Sequence, residues 1–168
     1  MTGRIDTEPA AGLLLVSADR ARIAEWRPRT VEEVELLELA PTEAEEHELL
    51  GPSYSHPRGS AEKATAARSS AHRDLWERRV EEHRERFARS AAETAAGVAR
   101  RRGWDLVLVL GDPRRTRPAC EELQRHGVEV VRSELVLDWL RPAALAERLA
   151  PEVDRARTEI ALAAATRR

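Results

Sequence analysis

The stretch Ser69–Asp112 decides the fold, and it reads SSAHRDLWERRVEEHRERFARSAAETAAGVARRRGWDLVLVLGD. Apolar or small residues recur in its first part at steps of three and four, which keeps one helix face against a core; they are Trp76, Val80, His83, Phe87, Ala91, Thr94 and Val98. Gly103 is expected to end the helix, because glycine tolerates the left-handed cap conformation. The run Leu106–Leu110 is apolar on both faces, as in a strand covered from both sides. The stretch therefore predicts a long helix that leads into a buried central strand.

Three strands are predicted before this helix. Gly12–Ser17 is apolar throughout, and the polar turn Ser17–Arg20 joins it to the alternating run Ala21–Trp26. Thr30–Leu39 is the third strand, and its alternation slips near Glu35–Leu37, which suggests a bulge. The opening of the chain therefore predicts an antiparallel three-stranded meander.

Helices and strands alternate after the central strand. A helix is predicted over Thr116–His126 with Thr116 as its cap, and a strand over Val128–Arg132. Ser133–Leu140 is interpreted as a short strand or an extended segment. Pro142 opens a last helix, in which Pro151 is expected to cause a break or kink. The fold class is therefore α/β, with a mixed sheet that opens with the meander, helices on the sheet faces, and a ribonuclease H-like arrangement.

The composition indicates one globular domain. The chain has 168 residues, of which 42% are hydrophobic, 35% charged and only 4% aromatic. Its single cysteine, Cys120, excludes an internal disulfide framework and a cysteine-based zinc site. We interpret residues 1–11 as a flexible lead-in and 12–168 as one domain with a mobile loop over 40–68. No signal peptide or membrane span is predicted, so the expected location is the cytoplasm.

The formal net charge of −2 gives no overall positive field, so a nucleic-acid contact would need a local patch. The loop before the long helix is the candidate for such a patch. Gly51–Ser60 holds two prolines, two glycines and three serines, and little that could pack. Basic residues accumulate from this segment into the helix, at Arg58, Lys63, Arg68 and Arg73. A solvated loop whose charges have no role remains an equal alternative at this point.

Three segments together resemble a known family. Gly12–Ala24 resembles the opening hairpin of the middle domain of archaeal and eukaryotic class-1 peptide chain release factors and Pelota. The helix from His72 to Arg102 resembles the long helix of that domain, and Leu106–Arg114 resembles the strand and turn that follow it. The similarity extends from Gly12 to about Ala163, so the chain resembles a bacterial relative of these factors.

In that family, the loop before the long helix carries a Gly-Gly-Gln tip that helps water attack peptidyl-tRNA in the ribosome. The equivalent loop here, Gly51–Arg68, contains Gly59–Ser60–Ala61 instead, and the chain's only glutamine is Gln124. The resemblance therefore implies a ribosome-associated, RNA-binding domain that binds the A site in rescue, stalling or hibernation without peptidyl-tRNA hydrolysis. Residual hydrolase activity stays open at this point.

The expected contacts with rRNA or tRNA come from the loop and the start of the helix. The cationic side chains would contact phosphates, and the tyrosine and a histidine could stack on an unpaired base. The full set is Tyr54, His56, Arg58, Gly59, Ser60, Lys63, Arg68 and Arg73. No cofactor, metal, membrane or DNA partner is expected, whereas the long charged helix could also pair with a second copy of the chain.

A metal-dependent, ribonuclease H-like nuclease is the alternative function. Such sheets can hold two metal ions between clustered carboxylates. Asp19 in the first turn and Asp112 after the central strand are the candidate ligands, with Glu33 or Asp138 as a third. Turn preference explains Asp19 without a metal, and the strand-stopping turn or a helix cap explains Asp112.

Overall fold

The computed structural model describes residues 8–40 and 62–167, with side chains described at 8–40 and 70–167. Within these ranges the chain forms five strands and three helices. They are β1 (Ala11–Val16), β2 (Arg20–Arg27), β3 (Thr30–Glu38), α1 (Glu62–Arg102), β4 (Val107–Gly111), α2 (Pro113–Arg125), β5 (Val130–Ser133) and α3 (Pro142–Thr166). The predicted succession of three strands followed by alternating helices and strands is confirmed.

The five strands form one mixed sheet in the order β3-β2-β1-β4-β5. β1 pairs antiparallel with β2, and β2 pairs antiparallel with β3, which gives the predicted meander. β4 lies parallel to both β1 and β5. The mixed α/β class is confirmed, whereas the narrower ribonuclease H-like assignment stays a prediction.

Helices cover both faces of the sheet. On one face, Leu14 and Ile23 pack with an alanine-rich part of α1 and with Leu123 of α2. On the other face, Leu13 and Leu15 pack with α3. All five residues of β4 are buried, as predicted for a strand with a core on either side.

The long helix α1 extends beyond the sheet that it covers. Its 41 residues span about 60 Å at the α-helical rise, whereas the six residues of β1 span about 20 Å. From Ala88 onward, one face of α1 is buried, and Gly103 ends the helix with a φ of 68°. Before His83, the described side chains are exposed or half-buried. The N-terminal half of α1 therefore overhangs the domain.

Several predicted boundaries were wrong. β1 begins at Ala11, and Ala10 is already buried, so the end of the predicted lead-in belongs to the core. α1 begins at Glu62, which shortens the predicted loop 40–68 from its C-terminal side; positions 41–61 lie outside the described residues. The predicted bulge in β3 is confirmed, one residue before the predicted stretch Glu35–Leu37: Val34 is the extra residue between Glu33 and Glu35, opposite Ile23 and Ala24.

Two expectations about the later helices also require correction. α2 starts at Pro113 and is capped by Asp112 rather than by Thr116, which lies buried inside the helix. α3 continues through Pro151 without a break. Pro151 is exposed, so water can meet the carbonyl that lacks its usual donor, while buried Leu149 and Val153 hold the helix on the sheet. No helix in the described ranges is long and apolar enough to cross a membrane.

Candidate functional site

Most of the predicted RNA-binding residues lie where the structure gives no side-chain description. Tyr54, His56, Arg58, Gly59 and Ser60 lie outside the described residues. Lys63 and Arg68 are placed in the first turns of α1 by their backbone, and Arg73 is an exposed residue of the same helix. The structure therefore locates three of the eight on one helix.

These three positions do not share a helix face. Lys63, Arg68 and Arg73 are five residues apart, and each step of five turns an α-helix by about 140°. The predicted basic cluster is therefore distributed around the start of α1. A partner that contacted all three would have to surround the helix.

A partly buried ion pair marks the point where α1 leaves the domain. Arg115, in the first turn of α2, is 5% exposed. Its guanidinium donates two hydrogen bonds to the Glu81 carboxylate on α1, at 2.7 and 2.8 Å. Such two-pronged pairing fixes orientation as well as distance. α1 is therefore braced against α2 at Glu81, and the chain N-terminal to this point forms the overhang.

Further arginines lie close to this brace. The hydrogen bonds from Arg115 lower the pKa of Glu81, and the positive charges of Arg114 and Arg84 act in the same direction. Arg114 is largely exposed and lies 3.3 Å from Asp112, the cap of α2. We did not predict from the sequence that several arginines lie near Glu81. The adjacent residues Arg114 and Arg115, directly after an Asp-Pro helix start, could have indicated it.

Arginines along α1 differ in whether they meet a carboxylate. In the packed half, Arg89 and Arg102 each bind two or more carboxylates, whereas the other arginines of that half have no ion pair among the described side chains. Within the part of the chain whose side chains are described, four arginines of the projecting half and of the turn just after the brace have no carboxylate oxygen within 4.0 Å. We call them the overhang arginines: Arg73, Arg78 and Arg79, which precede Glu81, and Arg84, which follows it by three residues.

The overhang is mixed in charge. Asp74, Glu77 and Glu82 lie between the overhang arginines, and all three are exposed. Opposite charges at this density cancel beyond a Debye length of about 8–10 Å at physiological salt. The overhang can therefore hold phosphates through individual guanidinium contacts, but it creates no long-range positive field.

The structure gives the carboxylates of the nuclease hypothesis other partners. Asp112 accepts a hydrogen bond from the Arg114 backbone N–H at 2.8 Å, and this bond and the Arg114 side chain lower the pKa of Asp112. Asp19 lies in the β1–β2 turn, where its side chain is 3.5 Å from the Ser17 hydroxyl. The two residues follow neighbouring parallel strands, since Val16 pairs with Gly111.

Of the candidate third ligands, Glu33 binds a cation with its carboxylate, and Asp138 contacts the same cation with its backbone oxygen. Arg22 is buried and donates from Nε to the Glu33 carboxylate at 2.6 Å. Its Nη1 donates to the backbone oxygens of Asp138 and Leu140, each at 2.7 Å. In the part of the chain that the structure describes, which excludes 1–7 and 41–61, no three His, Cys, Asp or Glu side chains come together to hold a metal ion.

Comparison with known proteins gives the family. The chain is similar to the solved archaeal translation termination factor aRF1, with 14% identity and a TM-score of 0.43 over 92% of this chain and 42% of that one. A second solved structure, called an archaeal protein, has 14% identity and a TM-score of 0.38 over 92% of this chain and 41% of its own. The chain thus spans less than half the length of either.

No curated protein matches the chain. Residues 4–153 match the profile of the family described as bacterial archaeo-eukaryotic release factor family 10. This match covers all five strands and both helices α1 and α2. It confirms the expected relationship to release factors, and the chain belongs to bacterial archaeo-eukaryotic release factor family 10.

Proposed function

We propose that this chain is a ribosome-associated RNA-binding module that occupies the A site in rescue, stalling or hibernation and does not hydrolyse peptidyl-tRNA. The observation that carries the proposal is the overhang of α1, which extends about 30 Å beyond the Glu81–Arg115 brace. The four overhang arginines, which have no carboxylate partner among the described side chains, suit phosphate contacts on several sides of this helix. Membership of a release-factor family supplies the reason to expect ribosomal RNA.

The position of the only glutamine supports the absence of hydrolysis. Gln124 is exposed in the last turn of α2, two residues before the helix cap at His126. α2 begins beside the brace and runs away from the overhang, so Gln124 lies at its far end. No other glutamine exists in the chain to orient a water molecule as the Gly-Gly-Gln tip does.

The test is co-sedimentation with bacterial ribosomes at low and moderate salt, with release of peptidyl-tRNA scored in the same tubes. We expect salt-sensitive pelleting without release. Replacing the four overhang arginines by glutamine should weaken pelleting. It should also reduce the slope of log K against log salt by about 0.7–0.9 for each phosphate that the variant no longer binds. A second variant neutralises the sequence-predicted set Arg58, Lys63, Arg68 and Arg73.

The matched control removes four exposed arginines elsewhere, Arg100, Arg101, Arg141 and Arg148. It changes the net charge equally but leaves the overhang intact, so its pelleting should remain close to that of the unmodified chain. Equal losses in the overhang and control variants would contradict the assigned surface. Release of peptide by the purified chain would contradict the non-hydrolytic assignment, and failure to pellet at either salt would contradict ribosome binding.

A further inference from the structure

One flank of α1 alternates ring side chains with guanidinium groups. Trp76, Arg79, His83, Arg86 and Ser90 follow one another at steps of three, four, three and four, and Phe87 lies beside Arg86. These steps place the residues along one side of the helix. We call this set the ring flank. It runs from the overhang into the packed half of α1.

The inner end of the ring flank borders a cleft. The cleft has a volume of about 320 Å³ and lies between α1 and the end of β3. His83, Arg86, Phe87 and Ser90 line it from α1, and residues 38–40 line it from the other side. Its volume falls at the lower end of the range for small-molecule sites.

The side chains of the cleft are held in place. His83 is only 8% exposed, and its Nδ1 accepts a hydrogen bond from the Arg86 guanidinium at 3.0 Å. Phe87 is half-buried and packs against the core. The phenyl ring and the guanidinium plane are therefore positioned before any ligand arrives, which lowers the entropy cost of binding.

We propose that this cleft takes one unpaired base of RNA, which stacks on Phe87 and Arg86, while Arg79 contacts a neighbouring phosphate. Single-stranded RNA is recognised in this way, with bases stacked on aromatic rings or guanidinium planes and the backbone held by cations. Stacking tolerates any base, because every base has a π-face. RNA as the source of the base rests on the proposed function, whereas the cleft itself does not.

The test uses a single-stranded RNA hexamer that carries one 2-aminopurine, whose fluorescence falls when the base stacks. The unmodified chain should quench this fluorescence on binding. Phe87→Leu keeps an apolar side chain in the core but removes the ring, so it should weaken binding about tenfold, the size of one stacked base. Phe87→Trp should restore the quenching, and thermal unfolding of each variant shows whether the core is intact.

Charge is tested separately on the same helix. Arg86→Gln should reduce both quenching and affinity. Arg100→Gln removes an equal charge from an exposed position about 21 Å further along α1 and should change neither. Equal effects of Arg86→Gln and Arg100→Gln, or unchanged quenching in Phe87→Leu, would overturn the proposal.

Two further results separate the sources of the base. Free 2-aminopurine ribonucleoside monophosphate should bind far more weakly than the hexamer, and equal affinity would overturn the assignment to RNA in favour of a free nucleotide. If the chain still pellets with ribosomes while Phe87→Leu leaves RNA binding and quenching unchanged, the cleft assignment is wrong and the proposed function is not. If ribosomes do not pellet the chain and the hexamer does not bind, both proposals are wrong.

Discussion

Replacing Glu25 by glutamine tests how the C-terminal end of α1 is fixed to the sheet. Glu25 lies on β2 and is 5% exposed. Its carboxylate accepts hydrogen bonds from the Trp104 indole at 2.7 Å, from Arg27 at 2.9 Å and from Arg102 at 3.3 Å. Burial alone would raise the pKa of Glu25, but these three donors more than offset it, so the pKa lies below its usual value. Glu25 is therefore a buried, ionised group with its bonds satisfied.

The expected cost of Glu25→Gln is about 2 kcal/mol in the free energy of unfolding. The glutamine oxygen can still accept from Trp104, so that donor is not left unpaired. The two bonds from arginine lose their charge assistance, at about 1 kcal/mol each. The side chains of Arg27 and Arg102 are 48% and 34% exposed, so water compensates part of their loss. A fully enclosed pair would cost more.

Urea unfolding at neutral pH measures this cost, and Glu32→Gln is the matched control. Glu32 also binds Arg102, at 3.1 Å, but its side chain is 64% exposed. An exposed pair of this kind contributes about 0–1 kcal/mol. Equal destabilisation by the two variants would refute the reasoning, because burial of Glu25 would then add nothing.

The pH dependence gives a second check with a defined sign. Because the pKa of Glu25 is lowered in the folded chain, its stabilisation is fully present above the unfolded pKa of about 4.3. This stabilisation is lost as the pH falls through the folded pKa, because Glu25 of the unmodified chain then becomes protonated and neutral, like the glutamine of the variant. The difference between the unmodified chain and Glu25→Gln should therefore be constant above about pH 5 and shrink below it. A difference that grows on acidification would contradict the assigned ionisation.

Three other substitutions test local packing and capping by the same urea measurement. Gly12→Ala should destabilise the fold by about 3 kcal/mol, because the new Cβ would lie 2.1 Å from the Trp104 ring. A loss of less than about 1 kcal/mol would contradict that close approach. Gly97→Ala should stabilise the fold by about 0.5–1 kcal/mol, because alanine favours a helix interior more than glycine does. The new Cβ meets only the flexible end of the Arg101 side chain, at 3.3 Å. A net loss of stability would show that this side chain cannot move. Asp112→Ala should cost about 1 kcal/mol through loss of the α2 cap, whereas Asp112→Asn should be nearly neutral because asparagine caps equally well; equal costs would indicate a different role for the carboxylate.

Periodicity predicted the elements whose burial is simple. The run Leu106–Leu110 is buried throughout, and the opening strand Gly12–Val16 is buried as well. In each case the apolar run is short and bounded by polar or turn residues, which favours a strand covered on both sides over a helix. The stripe of α1 was predicted correctly in its packed half, from His83 to Val98, because helical spacing and small residues indicate the same face.

Local signals competed at the element boundaries. Thr116 and Asp112 are both good caps, and the choice between them depends on Pro113, which favours the first position of a helix. The start of α1 was placed too late, because residues 62–68 carry no apolar period. A helix there depends on propagation from the packed half rather than on a buried face of its own.

The candidate site could be predicted only in part, because its contacts join distant parts of the chain. Arg73 was predicted and is an exposed residue of α1. The brace joins Glu81 to Arg115, 34 residues away, and no spacing rule links them. The cleft of the ring flank likewise requires β3 and α1 to meet, and periodicity classed Phe87 and His83 simply as core.

The two halves of α1 explain how an exposed helix of mixed charge can be part of a stable domain. An isolated helix in water is marginal below about 12–15 residues even with good helix formers. The overhang has no extensive core contact among its described side chains, so its order depends on the packed half, where alanines bring α1 against the sheet, and on the brace at Arg115. The Arg115–Glu81 pair is the last described hydrogen bond between α1 and α2 before the overhang begins. The orientation of the overhang arginines therefore depends on that pair, although neither Arg115 nor Glu81 is required to touch RNA.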